Sequence, residues 1–130
     1  MKHVEIVAAI FVSDKKLAAF RRNHGEFKGY YEFVGGKIKP NESHQQALMR
    51  ECKEELDVDV TVYDLFKTIS YPYDHFNMTL HLYHCQPLHF NFKLTVHDDM
   101  VWVDTNQIDT LPWLPADLLV IDDLKSTFLI

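Results

Sequence analysis

The sequence predicts an α+β fold, an α/β/α sandwich in which a mixed β-sheet lies between helices. Three observations lead to this prediction. Several segments are rich in β-branched and aromatic residues, two segments have the apolar spacing of amphipathic helices, and the 130-residue chain is 47% apolar and 25% charged. A chain of this size and composition can bury one substantial core, so we expect a single domain over residues 1–130.

The N-terminal segment predicts a β-hairpin. Residues 4–12 form an apolar, β-branched run, and residues 17–20 resume the strand pattern. Ser13-Asp14-Lys15-Lys16, between them, has the composition of a turn. Two later strands are predicted at residues 58–70 and 78–85 because apolar and polar residues alternate there. A short strand is also predicted over the stretch 100–103.

The first helix is predicted at about residues 43–56. Asn41 and the proline before it interrupt regular structure, and Ser43 followed three residues later by Gln46 has the pattern of a capping box. The rest of the segment contains strong helix formers and neither Gly nor Pro.

This helix has two unlike faces, since residues three or four apart lie on the same side. One face is predicted to be buried and consists of Leu48, Met49, Cys52 and Leu56. The other face holds Ala47, Arg50, Glu51, Glu54 and Glu55. Three carboxylates are therefore predicted to converge on one patch of the helix.

Carboxylates at this density repel one another, and a bound cation would relieve the repulsion. A hard divalent cation such as Mg²⁺ takes oxygen ligands and retains waters and substrate phosphates. The alternative is a solvated surface face, in which Arg50 and Lys53 pair with Glu54 and Asp57 four residues on.

A second helix is predicted to begin at Pro115-Ala116-Asp117, because Pro is favoured in the first turn of a helix. Its apolar residues have the spacing of a core-facing stripe: Leu118, Leu119, Ile121, Leu124 and Phe128.

The spacing of the charged helix resembles the Nudix box, a hydrolase motif for nucleoside diphosphates linked to another group. Gly36 is followed after five residues by Glu42, and after seven more by Arg50-Glu51, with Glu54-Glu55 completing the charged positions. The chain departs from the motif at Asp57, where the family usually has glycine. Glycine there supports a left-handed backbone conformation, which Asp tolerates better than most residues, so we expect a structural variant with intact chemistry.

Short motifs outside the box are similar to those of the MutT-like branch of the family. These motifs are Arg21-Arg22, Glu32-Phe33-Val34-Gly35-Gly36-Lys37 and Pro115-Ala116-Asp117. The resemblance implies a Nudix-type α/β/α sandwich and binding of Mg²⁺ or Mn²⁺ by four groups: the Gly35 carbonyl, Glu51, Glu54 and Glu55.

The resemblance also implies roles for residues around that metal. Arg50 would hold the glutamates, Glu42 would support the site, and Glu51 or Glu54 would act as base, with Glu51 favoured. Family members often supply a further acidic ligand six residues before a late tryptophan. That position is Val96 here, so the extra ligand is assigned to Asp98.

Substrate binding is assigned, again by resemblance, to Arg22, Phe33, Lys37, Phe76 and Asp117. Tyr71 and Tyr73 are further aromatic residues that can stack on a base or pack in the core. Asp117 stands where MutT has an asparagine that reads the oxidised guanine ring. An ionised carboxylate only accepts hydrogen bonds and suits a base that presents a donor, such as cytosine, unless the carboxyl is protonated.

The implied reaction is hydrolysis of (deoxy)nucleoside triphosphates at the β-phosphorus, which yields nucleoside monophosphate and pyrophosphate. Two substrate classes stay open: oxidised purine triphosphates such as 8-oxo-dGTP, and CTP or 5-substituted dCTP. ADP-ribose, dinucleoside polyphosphates and nucleotide sugars are further alternatives. A rival hypothesis is a Nudix domain that binds nucleotide without turnover.

Composition excludes several other classes. A net charge of −6 argues against a nucleic-acid polymer as partner, and the N-terminal apolar run is too short for a membrane span. We expect a cytoplasmic monomer or homodimer with Cys52 and Cys85 as reduced thiols. Four histidines lack the spacing of a zinc site and are expected to face solvent: His81, His84, His89 and His97.

Overall fold

The computed structural model describes residues 2–130, which form seven β-strands, two α-helices and two short 3₁₀ turns. The strands are β1 (Lys2–Ser13), β2 (Lys16–Arg22), β3 (Tyr31–Glu32), β4 (Val34–Lys37), β5 (Val60–Pro72), β6 (Phe76–Pro87) and β7 (His97–Val103). The helices are α1 (His44–Leu56) and α2 (Ile121–Phe128), and the 3₁₀ turns cover Ile108–Thr110 and Asp117–Val120. Within residues 2–130, no helix is both long and apolar enough to cross a membrane.

β1 is the strand around which the sheet is built. It pairs in parallel with β6 over Lys2–Phe11. Its other edge pairs antiparallel with β4 over Ile6–Ala9 and with β2 at Val12 and Ser13. β5 extends the sheet from β6, and β2 also pairs with β3 and β7. The sheet is therefore mixed, as the sequence predicts.

Successive residues of β1 enter two separate cores, because strand side chains alternate between the faces of a sheet. On one face Val7 packs in a cluster with Leu48 of α1. On the other face Ala8 and Ile10 pack in a cluster with Leu124 of α2. The predicted α/β/α sandwich is confirmed.

The structure confirms both ends of α1. The Ser43 hydroxyl accepts from the Gln46 backbone N–H, and the Gln46 side chain accepts from the Ser43 N–H, which completes the capping box. At the other end Asp57 adopts φ 52° and ψ 47°, the left-handed conformation that favours glycine. Its N–H donates to the Lys53 carbonyl. Asp57 therefore fills the backbone role expected for the residue that departs from the motif.

Three apolar residues predicted to be buried are exposed, and the predictions for them are wrong. Met49 of α1 is 47% exposed, since it lies at the edge of the apolar face. Leu118 and Leu119 are 58% and 56% exposed because the second helix begins as a 3₁₀ turn. Residues three apart share a face in a 3₁₀ turn, so Asp117 and Val120 point inward instead.

Gly35 and Gly36 lie in a strand, although paired glycines are more typical of turns. Gly35 pairs with Ala8 and Gly36 with Val7, as part of β4. A Cβ built on Gly35 would lie only 1.9 Å from the Val7 carbonyl oxygen. The glycine composition resembles a turn, but close approach of two backbones explains it.

Substitutions at Asp57 should separate its backbone role from its charge. We expect Asp57→Gly to stabilise the protein by about 0.5–1 kcal/mol, because glycine adopts positive φ without a steric penalty. Asp57→Ala should destabilise it by about 1 kcal/mol. Urea unfolding monitored by circular dichroism measures both changes. Equal stability of the two variants would contradict the left-handed conformation.

Candidate active site

Arg50, on α1, donates to oxygen atoms from two parts of the chain. Its Nε and Nη2 donate to the two carboxylate oxygens of Glu42 at 2.7 and 2.8 Å. Its Nη1 donates to Glu51 at 2.7 Å and to Glu54 at 3.3 Å. Nη2 also donates to the Lys37 carbonyl at 3.0 Å. The guanidinium thus joins the segment that precedes α1 to the carboxylates of the helix.

The ionisation of Glu42 follows from this contact. Hydrogen bonds from Arg50 lower the pKa of Glu42 to about 2, and the backbone N–H of Lys39, 2.9 Å from Glu42 Oε1, acts in the same direction. Glu42 is therefore a carboxylate at neutral pH. The pairing of Glu42 with Arg50 that the motif implies is present in the structure.

Glu55 lies on the inner side of the same helix and is only 9% exposed. The pKa of Glu55 is raised to about 10, chiefly by burial and also by a hydrogen bond with Glu51 and the charge of Glu51. Two carboxyl groups this close inside a protein need a proton or a cation between them. The pair Glu51 and Glu55 is therefore a candidate cation-binding site.

Gly36 is the point where β4 comes closest to α1. A Cβ built on Gly36 would lie 2.5 Å from the carboxyl carbon of Glu51, well inside van der Waals contact. The absence of a side chain at Gly36 thus leaves the space that the Glu51 carboxyl group occupies.

The groups near Glu51 that can bind a cation offer oxygen atoms, which suit a hard divalent cation. They are the Glu55 carboxyl and the Gly35 carbonyl, which line a pocket next to Glu51. Among residues 2–130, however, no three His, Cys, Asp or Glu side chains are assembled in metal-binding geometry. The Glu54 carboxylate accepts from Arg50 Nη1, the same nitrogen that donates to Glu51, and the Glu54 side chain is 54% exposed.

A pocket of about 470 Å³ opens beside this cluster. Its lining includes all five residues assigned to substrate binding from the sequence: Arg22, Phe33, Lys37, Phe76 and Asp117. Gly35, Gly36 and Glu55 line the same pocket. One cavity is therefore lined both by Glu55, the buried member of the carboxylate pair, and by the residues expected to contact a nucleotide, whereas Glu51 lies outside its lining.

Asp117 also lines this pocket and is 4% exposed. Burial raises the pKa of Asp117 well above its usual range, and the nearby charge of Glu32 adds to the effect, while Arg22 opposes it. The protonated form is thereby favoured. A protonated carboxyl both donates and accepts, as the amide of an asparagine does.

Two polar residues of the site were missed at the sequence level. Glu32 accepts from Arg22 Nη1 at 3.1 and 3.2 Å and lies 2.9 Å from His97 Nε2. His97 is 2% exposed, so the prediction that it faces solvent is wrong. The position of Glu32, directly before Phe33 in the Glu-Phe-Val-Gly-Gly-Lys motif, was the available signal. No comparable local signal marks His97, because its partner lies 65 positions away.

Asp98 is not brought to the carboxylates of α1. Its carboxylate accepts from Arg21 Nε at 2.7 Å, and this hydrogen bond lowers the pKa of Asp98. Arg22 lines the pocket, whereas Arg21 is outside its lining. Val96, at the position where the family often has an acidic ligand, lines the pocket.

Aromatic side chains form much of the pocket wall. Phe33 packs against Trp113 with ring centroids 5.2 Å apart, and Tyr73 stacks on Phe76 at 5.2 Å and 27°. Phe33, Tyr73 and Phe76 line the pocket, whereas Tyr71 lines a neighbouring cavity.

Comparison with known proteins gives consistent results over nearly the whole chain. Residues 1–127 match the family model of the NUDIX domain. The chain is 34% identical to the CTP pyrophosphohydrolase of Escherichia coli (strain K12) over 123 residues, which cover 94% of the chain and 91% of that protein. It is 36% identical to the 8-oxo-dGTP diphosphatase of Proteus vulgaris over 77 residues, 57% of the chain and 69% of that protein.

Solved structures give the same result for the fold. The solution structure of the E. coli ORF135 protein aligns with a TM-score of 0.84 and 31% identity, over 97% of the chain and 91% of that protein. The MutT protein from Methanosarcina mazei Go1 aligns with a TM-score of 0.86 over 96% of the chain and 94% of that protein. The identity to the latter is 18%, so it supports the fold alone.

The contact between Gly36 and Glu51 leads to a testable prediction. Gly36→Ala should displace the Glu51 carboxyl and lower kcat/KM for hydrolysis about 10- to 100-fold, because small misplacements of a reacting group are costly. Thermal unfolding serves as the control and should show a folded variant. Wild-type kcat/KM in a folded Gly36→Ala protein would contradict the assigned position of Glu51.

The buried carboxyl of Asp117 should make stability depend on pH. The folded state keeps a proton that the unfolded chain releases above pH about 4, so wild-type stability should fall as pH rises from there toward the folded pKa. Asp117→Asn removes this loss, and its stability relative to wild type should increase between pH 4 and 8. Urea unfolding at each pH measures the difference.

Asp98→Asn is the matched control for this experiment. Because Arg21 lowers the pKa of Asp98, the stability that Asp98 contributes is lost only below pH about 4, so the difference between Asp98→Asn and wild type should stay constant between pH 4 and 8. A pH-independent difference for Asp117→Asn would show that Asp117 is ionised in the folded protein.

Proposed function

Because the chain belongs to the Nudix family and is a Nudix hydrolase, we propose that it converts nucleoside triphosphates to nucleoside monophosphate and pyrophosphate with Mg²⁺ or Mn²⁺. The observation that carries this proposal is the continuity of the pocket. The same cavity is lined by Glu55 and Gly35 and by Asp117. A nucleotide lying along it would present its phosphates to the carboxylates and its base to Asp117.

The residues expected to lie near the phosphates have distinct tasks in this reaction. When bound, the divalent cation lowers the pKa of water and offsets charge on the phosphate oxygens. The Gly35 carbonyl, Glu51, Glu54 and Glu55 would hold it, and Arg50 keeps Glu51 in position by a 2.7 Å hydrogen bond.

Proton transfer and bond exchange complete the proposed step. Glu51 takes a proton from the attacking water, whose oxygen bonds to the β-phosphorus. The bond from that phosphorus to the α–β bridging oxygen breaks, and the monophosphate leaves with the electron pair. Lys37, whose exposed side chain lines the pocket, is suited to bind a phosphate oxygen.

We propose that cytidine triphosphates are the preferred substrates. A protonated Asp117 presents one donor and one acceptor, which match N3 and the N4 amino group of cytosine. The relative that covers 94% of the chain is a CTP pyrophosphohydrolase, which supports this choice.

Oxidised guanine is the second candidate base. In 8-oxoguanine, O6 accepts and N7–H donates, so the same protonated carboxyl satisfies both atoms. Unmodified guanine presents two acceptors at O6 and N7, and a single donor satisfies only one of them. The similarity to an 8-oxo-dGTP diphosphatase over 57% of the chain supports this candidate.

We place the reaction in the cytoplasm, on small nucleotides and not on nucleic-acid polymers. The net charge of −6 disfavours polymer binding. Cys52 and Cys85 are free and buried, and burial raises the pKa of both thiols, to about 12 for Cys85. Both are therefore weak nucleophiles, which agrees with the reduced state expected of them.

A comparison of kcat/KM tests the proposed substrates, with pyrophosphate release measured in the presence of Mg²⁺. The panel consists of CTP, dCTP, 5-methyl-dCTP, 8-oxo-dGTP, dGTP and ATP. We expect cytidine triphosphates to rank first and 8-oxo-dGTP to exceed dGTP by at least about 10-fold. Asp117→Leu introduces a side chain with neither donor nor acceptor and should make the kcat/KM values of these nucleotides similar. Asp117→Asn should preserve the wild-type order.

Glu51→Gln is the catalytic control for this panel. It should lower kcat for every nucleotide by at least about 100-fold without changing the order of their binding affinities. Tight binding of one nucleotide with no turnover of any by the wild-type protein would overturn the proposal and favour a non-catalytic nucleotide-binding domain.

A further inference from the structure

Tyr73 connects the β5–β6 hairpin to the turn that carries Asp117. Its hydroxyl oxygen accepts a hydrogen bond from the Ala116 backbone N–H at 3.1 Å, although the two residues are 43 positions apart. The Tyr73 N–H donates to the Phe76 carbonyl at 2.9 Å and closes the hairpin. The phenol is therefore held on one side by its own hairpin and on the other by the residue before Asp117.

The Ala116 N–H has no other suitable partner in the turn. The Leu114 carbonyl accepts from the N–H groups of Asp117 and Leu118, and not from that of Ala116. Ala116 is 1% exposed, so its N–H is also shielded from water. The Tyr73 hydroxyl satisfies a backbone donor that would otherwise be buried without a partner.

The ring of Tyr73 has room to move if this hydrogen bond is lost. Tyr73 lines the nucleotide pocket and also a second cavity of about 260 Å³. Phe27 and Phe76 line both cavities as well, and their ring centroids lie 5.5 and 5.2 Å from that of Tyr73. The hydroxyl contact with Ala116 restrains the ring between the two spaces.

We propose that the Tyr73 hydroxyl is a positioning group for base selection. It fixes the Ala116–Asp117 turn, and with it the direction of the Asp117 carboxyl, while it holds the Tyr73 ring as a wall of the pocket. This inference rests on the proposed function of Asp117 in reading the base. Burial raises the pKa of Tyr73 to about 12, so the hydroxyl stays protonated throughout the pH range of an ordinary assay.

Tyr73→Phe is the direct test because it removes the hydroxyl and keeps the ring. The readout is the ratio of kcat/KM for CTP to kcat/KM for dGTP, each measured with Mg²⁺. We expect this ratio to fall about 5- to 10-fold, through a higher KM for CTP with little change in kcat. A purely structural role would lower both rates together and leave the ratio unchanged.

Tyr63→Phe is the matched control, since it makes the same chemical change on β5 at a half-exposed tyrosine away from the pocket. It should leave the ratio at the wild-type value. In an Asp117→Leu background, Tyr73→Phe should cause no further loss of the ratio, because the residue through which it acts is already gone.

The outcomes distinguish this inference from the proposed function. Absence of triphosphate hydrolysis in the wild type would overturn the proposed function. A wild-type ratio in Tyr73→Phe, together with a lowered ratio in Asp117→Leu, would overturn the role of the hydroxyl alone. Hydrogen exchange of the Ala116 amide in the wild-type protein gives a test that needs no variant: exchange as fast as that of an exposed amide would also overturn the inference.

Discussion

The charge balance of helix α1 depends on one guanidinium group. Arg50 lies among Glu42, Glu51 and Glu54 and donates to all three, so the repulsion between their charges is offset within the protein. A lysine could not replace it, because only the planar guanidinium makes a bidentate pair with one carboxylate and still reaches two others. Once Arg50 has engaged these groups, Glu51 and Glu55 remain as the carboxyl pair that needs a further positive charge.

The short strand β4 and the residue before it join the two halves of the site. Phe33 and Gly35 line the nucleotide pocket, while the missing side chain of Gly36 leaves space for Glu51 on α1. Glycines weaken an ordinary strand, but here they allow the backbone to approach both β1 and α1 closely. The distance between this pocket and the Glu51 carboxylate is therefore set by a few residues of extended chain.

Two buried acids line the pocket, and their surroundings favour different ligands. Glu55 contacts another carboxyl, Glu51, and lines the pocket together with Gly35, so oxygen atoms gather there and a cation is a suitable counterpart. Asp117 is more completely enclosed and has charged neighbours of both signs, and burial favours a proton on its carboxyl. The same physical effect, burial of a carboxyl, thus favours a cation beside one acid and a proton on the other.

By itself the sequence determined the features that depend on near neighbours. The Ser43 cap and the left-handed end at Asp57 follow from interactions within one or two turns, and the structure bears them out, whereas Glu55, predicted to lie on the helix face opposite the apolar residues, is buried. The tertiary structure alone decided which polar groups are buried and with whom they pair. Burial favours a proton on Asp117, His97 is enclosed beside Glu32, and Asp98 pairs with a residue 77 positions away. Local spacing carries no information on such contacts, because they arise only when distant segments pack together.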